Sequence, residues 1–135
     1  MDALLTAIFT RYNAGAGAAL RALTTGMYHA ALAPESTVAP YITYTSVSSA
    51  NADTMSSEHI EPLIQWSTWV QSTSPKLAWE INEELRVLYA DVLLTVPGWS
   101  TIRAQVDDSG TYISQGTDEE DSQGVIMTIR YRIGR

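Results

Sequence analysis

The 135-residue sequence has no cysteine, one lysine, one phenylalanine and two histidines. Without cysteine there can be no disulfide, no thiolate metal site and no thiol nucleophile. The two histidines, His29 and His59, fall in no H-x-x-x-H spacing, so the helical zinc-ligand pattern is missing too. No apolar run approaches the roughly 18 residues that a membrane-spanning helix needs. The start, Met1 to Leu5, lacks the positive stretch of a secretory leader, and the expectation is a product made in the cytoplasm with no membrane partner. There is no G-x-S-x-G elbow, no P-loop and no dinucleotide-binding glycine fingerprint. We therefore expect no enzyme, no catalytic residues, no cofactor and no bound metal.

What is present describes one globular domain over residues 1–135. The chain is 45% hydrophobic and 17% charged, and a chain of this length buries about two-thirds of the surface its unfolded form exposes. The net charge is −7. That balance argues against wrapping a phosphate backbone, an affinity supplied mostly by cations. Seven of the eight cationic residues are arginine, and four tryptophans and seven tyrosines accompany the lone phenylalanine, Phe9. Arginine is the more weakly hydrated cation. With the amphipathic aromatics, it is enriched where proteins meet proteins.

Along the chain, Leu4, Leu5, Ile8, Phe9 and Tyr12 predict a helix over 2–13 with one buried face. Ala14-Gly15-Ala16-Gly17 interrupts it, and a short second turn follows over 18–23, ending near Gly26. A short strand is expected at 27–32 and a firm one at 41–48, with a polar loop at 49–57. A long strand follows at 60–71, with Pro62 near its start. Ser74-Pro75 has the N-cap and first-turn chemistry that opens a helix. The stripe Leu77, Ile81, Leu85, Leu88 and Val92 carries that helix to about residue 93, and Pro97-Gly98 stops it. Ile102 to Val106, the turn Asp107-Asp108-Ser109-Gly110 and Thr111 to Ser114 read as a hairpin. A last strand spans 125–133. The expected fold class is α+β: an antiparallel sheet of about four or more strands with helices packed on one face. Its expected core holds Leu5, Ile8, Phe9, Trp66, Val70, Ile81, Leu85, Leu88 and Ile129.

The candidate functional residues come from strand parity. Side chains alternate on a strand, so if Trp66 faces the core, Trp69 and Leu63 lie on the opposite, wetter face. On the last strand Arg130 and Arg132 project together away from the core. The acidic run Asp118, Glu119, Glu120 and Asp121 lacks the ligand alternation and mid-loop glycine of an EF-hand. It lies too close before that strand to fold back onto both arginines of its own chain. Trp69, Leu63, Arg130, Arg132 and residues 118–121 are therefore the candidate subunit interface. A solvated sheet face and a solvated loop account for the same residues. Glu80, Glu83 and Glu84, on the outer side of the helix, need no acid–base role.

The order of elements, with Gly26-Met27-Tyr28, Ala33-Pro34, Pro40-Tyr41-Ile42, the strand ending in Trp69 and the helix after it, resembles the tail-completion and tail-terminator proteins of long-tailed bacteriophages and phage-like particles. The resemblance covers residues 1 to about 95. It implies a virion subunit of the tail or neck with no catalytic residues. Such a subunit would form a ring of itself, commonly six copies, that caps the tail tube. The ring would contact the tail tube protein and a head-tail connector protein, and DNA would pass without specific binding. A head-side connector, another minor tail protein or a small bacterial binding module are the alternatives. The glycines at 15–17 and the acidic run depart from the pattern.

Overall fold

The computed structural model describes residues 2–29, 40–51, 58–71, 76–115 and 122–134. Three α-helices lie on one face of a five-stranded sheet, so the α+β expectation holds. The helices are α1 (Asp2–Asn13), α2 (Ala18–Leu23) and α3 (Lys76–Tyr89), with a 3₁₀ turn at Gly15–Gly17 between the first two. The strands are β1 (Met27–His29), β2 (Tyr41–Asn51), β3 (His59–Gln71), β4 (Ser100–Gln115) and β5 (Ser122–Gly134). Their order across the sheet is β1-β2-β3-β5-β4. β1 runs parallel to β2, so the sheet is mixed rather than wholly antiparallel; every other pair is antiparallel.

One parity of each strand meets the helices. Ile42 and Tyr44 of β2, Ile64, Trp66, Thr68 and Val70 of β3, and Val125, Met127, Ile129 and Tyr131 of β5 are all buried. Leu4, Ile8 and Tyr12 of α1, Leu20 of α2, and Ile81, Leu85, Leu88 and Tyr89 of α3 close over them. Trp66 stacks on Tyr89 with ring centroids 5.0 Å apart, and Tyr131 lies tilted beside it at 6.4 Å. The Tyr89 hydroxyl donates to the Ile8 carbonyl at 2.7 Å, tying α3 to α1. Burial pushes the pKa of Tyr89 and of Tyr131 well above the ordinary tyrosine value.

The break after α1 has a local cause. Arg21 of α2 reaches back to the carbonyls of Tyr12, in the last turn of α1, and of Ala14, which also accepts the Gly17 N–H. A Cβ on Gly17 would stand 2.1 Å from the Tyr12 carbonyl oxygen, so only glycine admits this approach.

Several expectations are corrected. Phe9 is 44% exposed rather than core, because the buried stripe of α1 is Leu4, Ala7, Ile8 and Tyr12, which leaves Phe9 off its edge. Leu5 is half-buried. The third helix stops at Tyr89, not near 93. Asp91 takes φ +56°, the left-handed conformation that ends helices and that aspartate tolerates better than most residues. The chain beyond it buries Leu94 and Val96 instead of extending the Val92 stripe. β2 continues through Asn51, where a loop was expected from 49.

The largest correction concerns Asp107-Asp108-Ser109-Gly110. It is no hairpin turn: β4 runs straight through it as one strand of 16 residues paired with the 13 of β5. Three register shifts, at Thr101/Arg103, Val106/Asp108 and Asp108/Thr111, absorb the excess as bulges. The Asp108 carboxylate accepts the Gly110 N–H at 3.0 Å, which turns the local backbone inward without reversing the chain. A Cβ on Gly110 would lie 2.9 Å from the Trp79 ring and 3.0 Å from Asn82 Nδ2, so glycine lets β4 close against α3. The strand at 27–32 is seen as Met27–His29. Residues 30–32, the Ser74-Pro75 cap and the acidic run 118–121 fall outside the described residues.

Candidate subunit interface

The second face of the sheet carries the other parity. No helix lies on it among the described residues, and its side chains are mostly half-buried. Register builds a continuous strip across three strands. Tyr41 pairs with Trp69 at one end, then Thr43 with Ser67 and Ile126, Gln65 with Thr128, and Leu63 with Arg130. At the other end Arg132 stands opposite Arg103 of β4. From Glu61 to Trp69 the strip is about 27 Å long at strand rise.

Trp69 lies on this face rather than beneath its own helices. It is half-buried, and its indole N–H donates to Thr43 Oγ1 at 3.4 Å. Leu63 presents an apolar patch beside Arg130. The structure thus brings Trp69, Leu63, Arg130 and Arg132 onto one surface.

Sequence reasoning missed Glu61. Its Oε1 lies 3.3 Å from Arg132 and 3.5 Å from Arg103, so one carboxylate neutralises two guanidiniums that register sets side by side. Like charges directly opposite on a sheet repel, and Glu61 is what lets this pair stand. Strand parity alone places Glu61 on the face of Leu63 and Trp69, but only the strand order β3-β5-β4 brings Arg103 beside it. Arg130 faces Leu63 and Gln105 and has no carboxylate partner among the described residues. By register the strip carries three guanidiniums, Arg103, Arg130 and Arg132, and two carboxylates, Glu61 and Asp108, on a chain whose net charge is −7.

On α3 the outer carboxylates have ordinary surroundings. Arg86 hydrogen-bonds Glu83 at 2.7 Å and lowers the pKa of that exposed carboxyl, and Lys76 lies 3.8 Å from Glu80. Among the described residues no group of three His, Asp or Glu side chains is placed to hold a metal ion, and no helix is long and apolar enough to cross a membrane. The face presents Trp69 and Leu63 among polar side chains, with guanidinium donors toward the Arg132 end.

No family model and no curated protein sequence matches the chain. Its fold is similar to that of a chain from the virion of a native gene transfer agent (GTA) particle. The TM-score is 0.78, the match covers 95% of this chain and 92% of that one, and the sequences are 15% identical. At that identity the likeness is one of fold.

Proposed function

We propose that the protein is a structural subunit of a phage-like virion: a tail terminator that closes into a ring of about six copies, caps the tail tube and joins it to the head-side connector. The observation that carries this reading is the whole-subunit likeness to the gene transfer agent virion chain, which spans 95% of one chain and 92% of the other. The open sheet face supports the same reading. Stacking two such faces about a two-fold axis along the strands would bring the arginines of one copy against those of the other, so that self-complementary pair is disfavoured. A head-to-tail contact avoids that clash, and one whose rotation closes makes a ring.

In this ring Trp69 and Leu63 supply the apolar contact. The Arg132 end of the strip, where two guanidiniums share one carboxylate, meets residues Asp118–Asp121 of the next copy or carboxylates of the stacked tail tube or connector protein. Each such rim pair contributes about 0–1 kcal/mol, and its effect is mainly on register. With −7 per copy, the channel repels passing DNA and does not grip it. The particle location, in the tail or neck, follows from the same assignment.

Light scattering and electron microscopy of the purified protein test it, together with completion of tails by the wild type and Trp69→Ser. The wild type should form closed rings, and Trp69→Ser should keep its melting temperature and lose them. A wild type that stays monomeric, alone and with tail tubes, refutes the ring. An unaffected Trp69→Ser ring takes the open face out of the interface.

A further inference from the structure

All described arginines but one are engaged within their own chain. Arg11 donates through Nε to the Leu88 carbonyl at 2.7 Å, and Arg21 binds the carbonyls that end α1. Arg86 pairs with Glu83, and Arg103 and Arg132 share Glu61. Arg130, half-buried between Leu63 and Gln105, has neither a carboxylate nor a carbonyl partner among the described residues. A guanidinium partly withdrawn from water and without an acceptor among the described residues is available to a group of another copy.

At the β1 edge of the sheet, four aromatic residues form a surface with the complementary property. Phe9, Tyr28, His29 and Tyr44 line a pocket of about 210 Å³. His29 stands edge-on to Tyr44, with centroids 5.8 Å apart and planes at 82°. Phe9, from α1, is the exposed wall. Among the described residues no lysine or arginine lines this pocket. Aromatic faces carry negative potential and attract a cation placed over them, arginine most often. Its planar, weakly hydrated guanidinium also stacks on rings where an ammonium would not. Arg130 does not line the pocket of its own chain: it stands on β5, with β2 and β3 between it and β1.

We propose that the Phe9–Tyr28–His29–Tyr44 pocket receives the Arg130 guanidinium of a second copy. The contact is head-to-tail, from the open face of one subunit to the β1 edge of the next. It rests on the ring reading above and names the two surfaces that meet. It also uses the feature that disfavours a two-fold pair, the unpaired charge on the strip, as the element that selects the partner.

The test is a mutant cycle read by sedimentation velocity on the full chain: wild type, Arg130→Gln, the pair Phe9→Leu with Tyr28→Leu, and all three together. Each single arm should weaken self-association by roughly 3- to 30-fold, the size of a cation–aromatic contact. The combined variant should be no weaker than the weaker arm. Losses that multiply mean that Arg130 and the pocket act separately, and overturn the proposal. The ring reading then stands, as it does if pocket variants assemble normally. A second measurement titrates the Arg130→Gln protein with N-acetyl-arginine methylamide and with N-acetyl-leucine methylamide, following aromatic NMR signals. Shifts of Phe9 and Tyr28 with the arginine probe alone support the pocket. Equal shifts with the leucine probe make it a plain apolar groove and overturn the assignment. A wild type that is monomeric throughout overturns both readings.

Discussion

Glu61→Gln is the substitution that best tests how the open face is held together. It keeps the shape of the side chain and removes the charge that Arg103 and Arg132 share. The glutamate and Arg132 side chains are 20% and 31% exposed, so their 3.3 Å contact is a partly shielded, charge-assisted hydrogen bond. Such a bond contributes about 1.5–3 kcal/mol at the upper end of its range. The Arg103 arm is half exposed at 3.5 Å and adds about 0–1 kcal/mol. Its loss also leaves two guanidiniums opposed across β4 and β5, a penalty of a few tenths to about 1 kcal/mol. The expected loss is about 2–5 kcal/mol at low ionic strength, and part of it disappears in high salt as the exposed arm is screened. Urea unfolding followed by tryptophan fluorescence measures it. Arg130→Gln is the internal control, since that side chain has no intrachain partner among the described residues and should stay within about 0.5 kcal/mol of wild type. If Glu61→Gln is no worse than Arg130→Gln, the shared carboxylate does not hold the strip.

Three further outcomes follow from the core and the bulged strand. Leu85→Ala, at a fully buried position of α3, should cost about 2–5 kcal/mol in the same unfolding experiment, and a loss below 1 kcal/mol would place the helix wrongly. Gly110→Ala should destabilise by about 1–3 kcal/mol, because its Cβ meets Trp79 and Asn82 at 2.9–3.0 Å, and a neutral result would mean that β4 moves away freely. Tyr89 and Tyr131 have folded-state pKa values raised by burial, so above about pH 10 the unfolded chain releases protons that the folded one keeps. Stability is then complete below pH 10 and falls above it by about 1.4 kcal/mol per pH unit for each tyrosine. Tyr89→Phe should remove one of those slopes in an alkaline titration of unfolding.

Much of the architecture was legible because local chemistry and burial agree. α1 begins and ends where the apolar spacing and the glycines put it, and β3 and β5 match their alternation. Trp66 and Trp69 divide between the two faces as parity requires. The failures share a cause: tertiary contacts override short polar signals. Asp-Asp-Ser-Gly has turn chemistry, but the Asp108 carboxylate satisfies the Gly110 N–H in place, and β5 offers a ladder long enough to continue. The helix stop at Asp91 precedes the stronger Pro97-Gly98 signal because Leu94 and Val96 bury more by leaving the helix. Of the candidate interface, the parity of Trp69, Leu63, Arg130 and Arg132 was readable. Glu61 and Arg103 were not, since their meeting depends on the order β3-β5-β4.

The bulges of β4 have a consequence for a protein packed at high local concentration. β4 is the outermost strand on its side of the sheet, and a long regular border strand is a template onto which another chain can hydrogen-bond, one copy after the next. Three register shifts within 16 residues bend that border and break the even spacing of its outward N–H and C=O groups. An incoming strand can match only short stretches of it before falling out of step. Edge-to-edge growth of open-ended ribbons is thereby disfavoured.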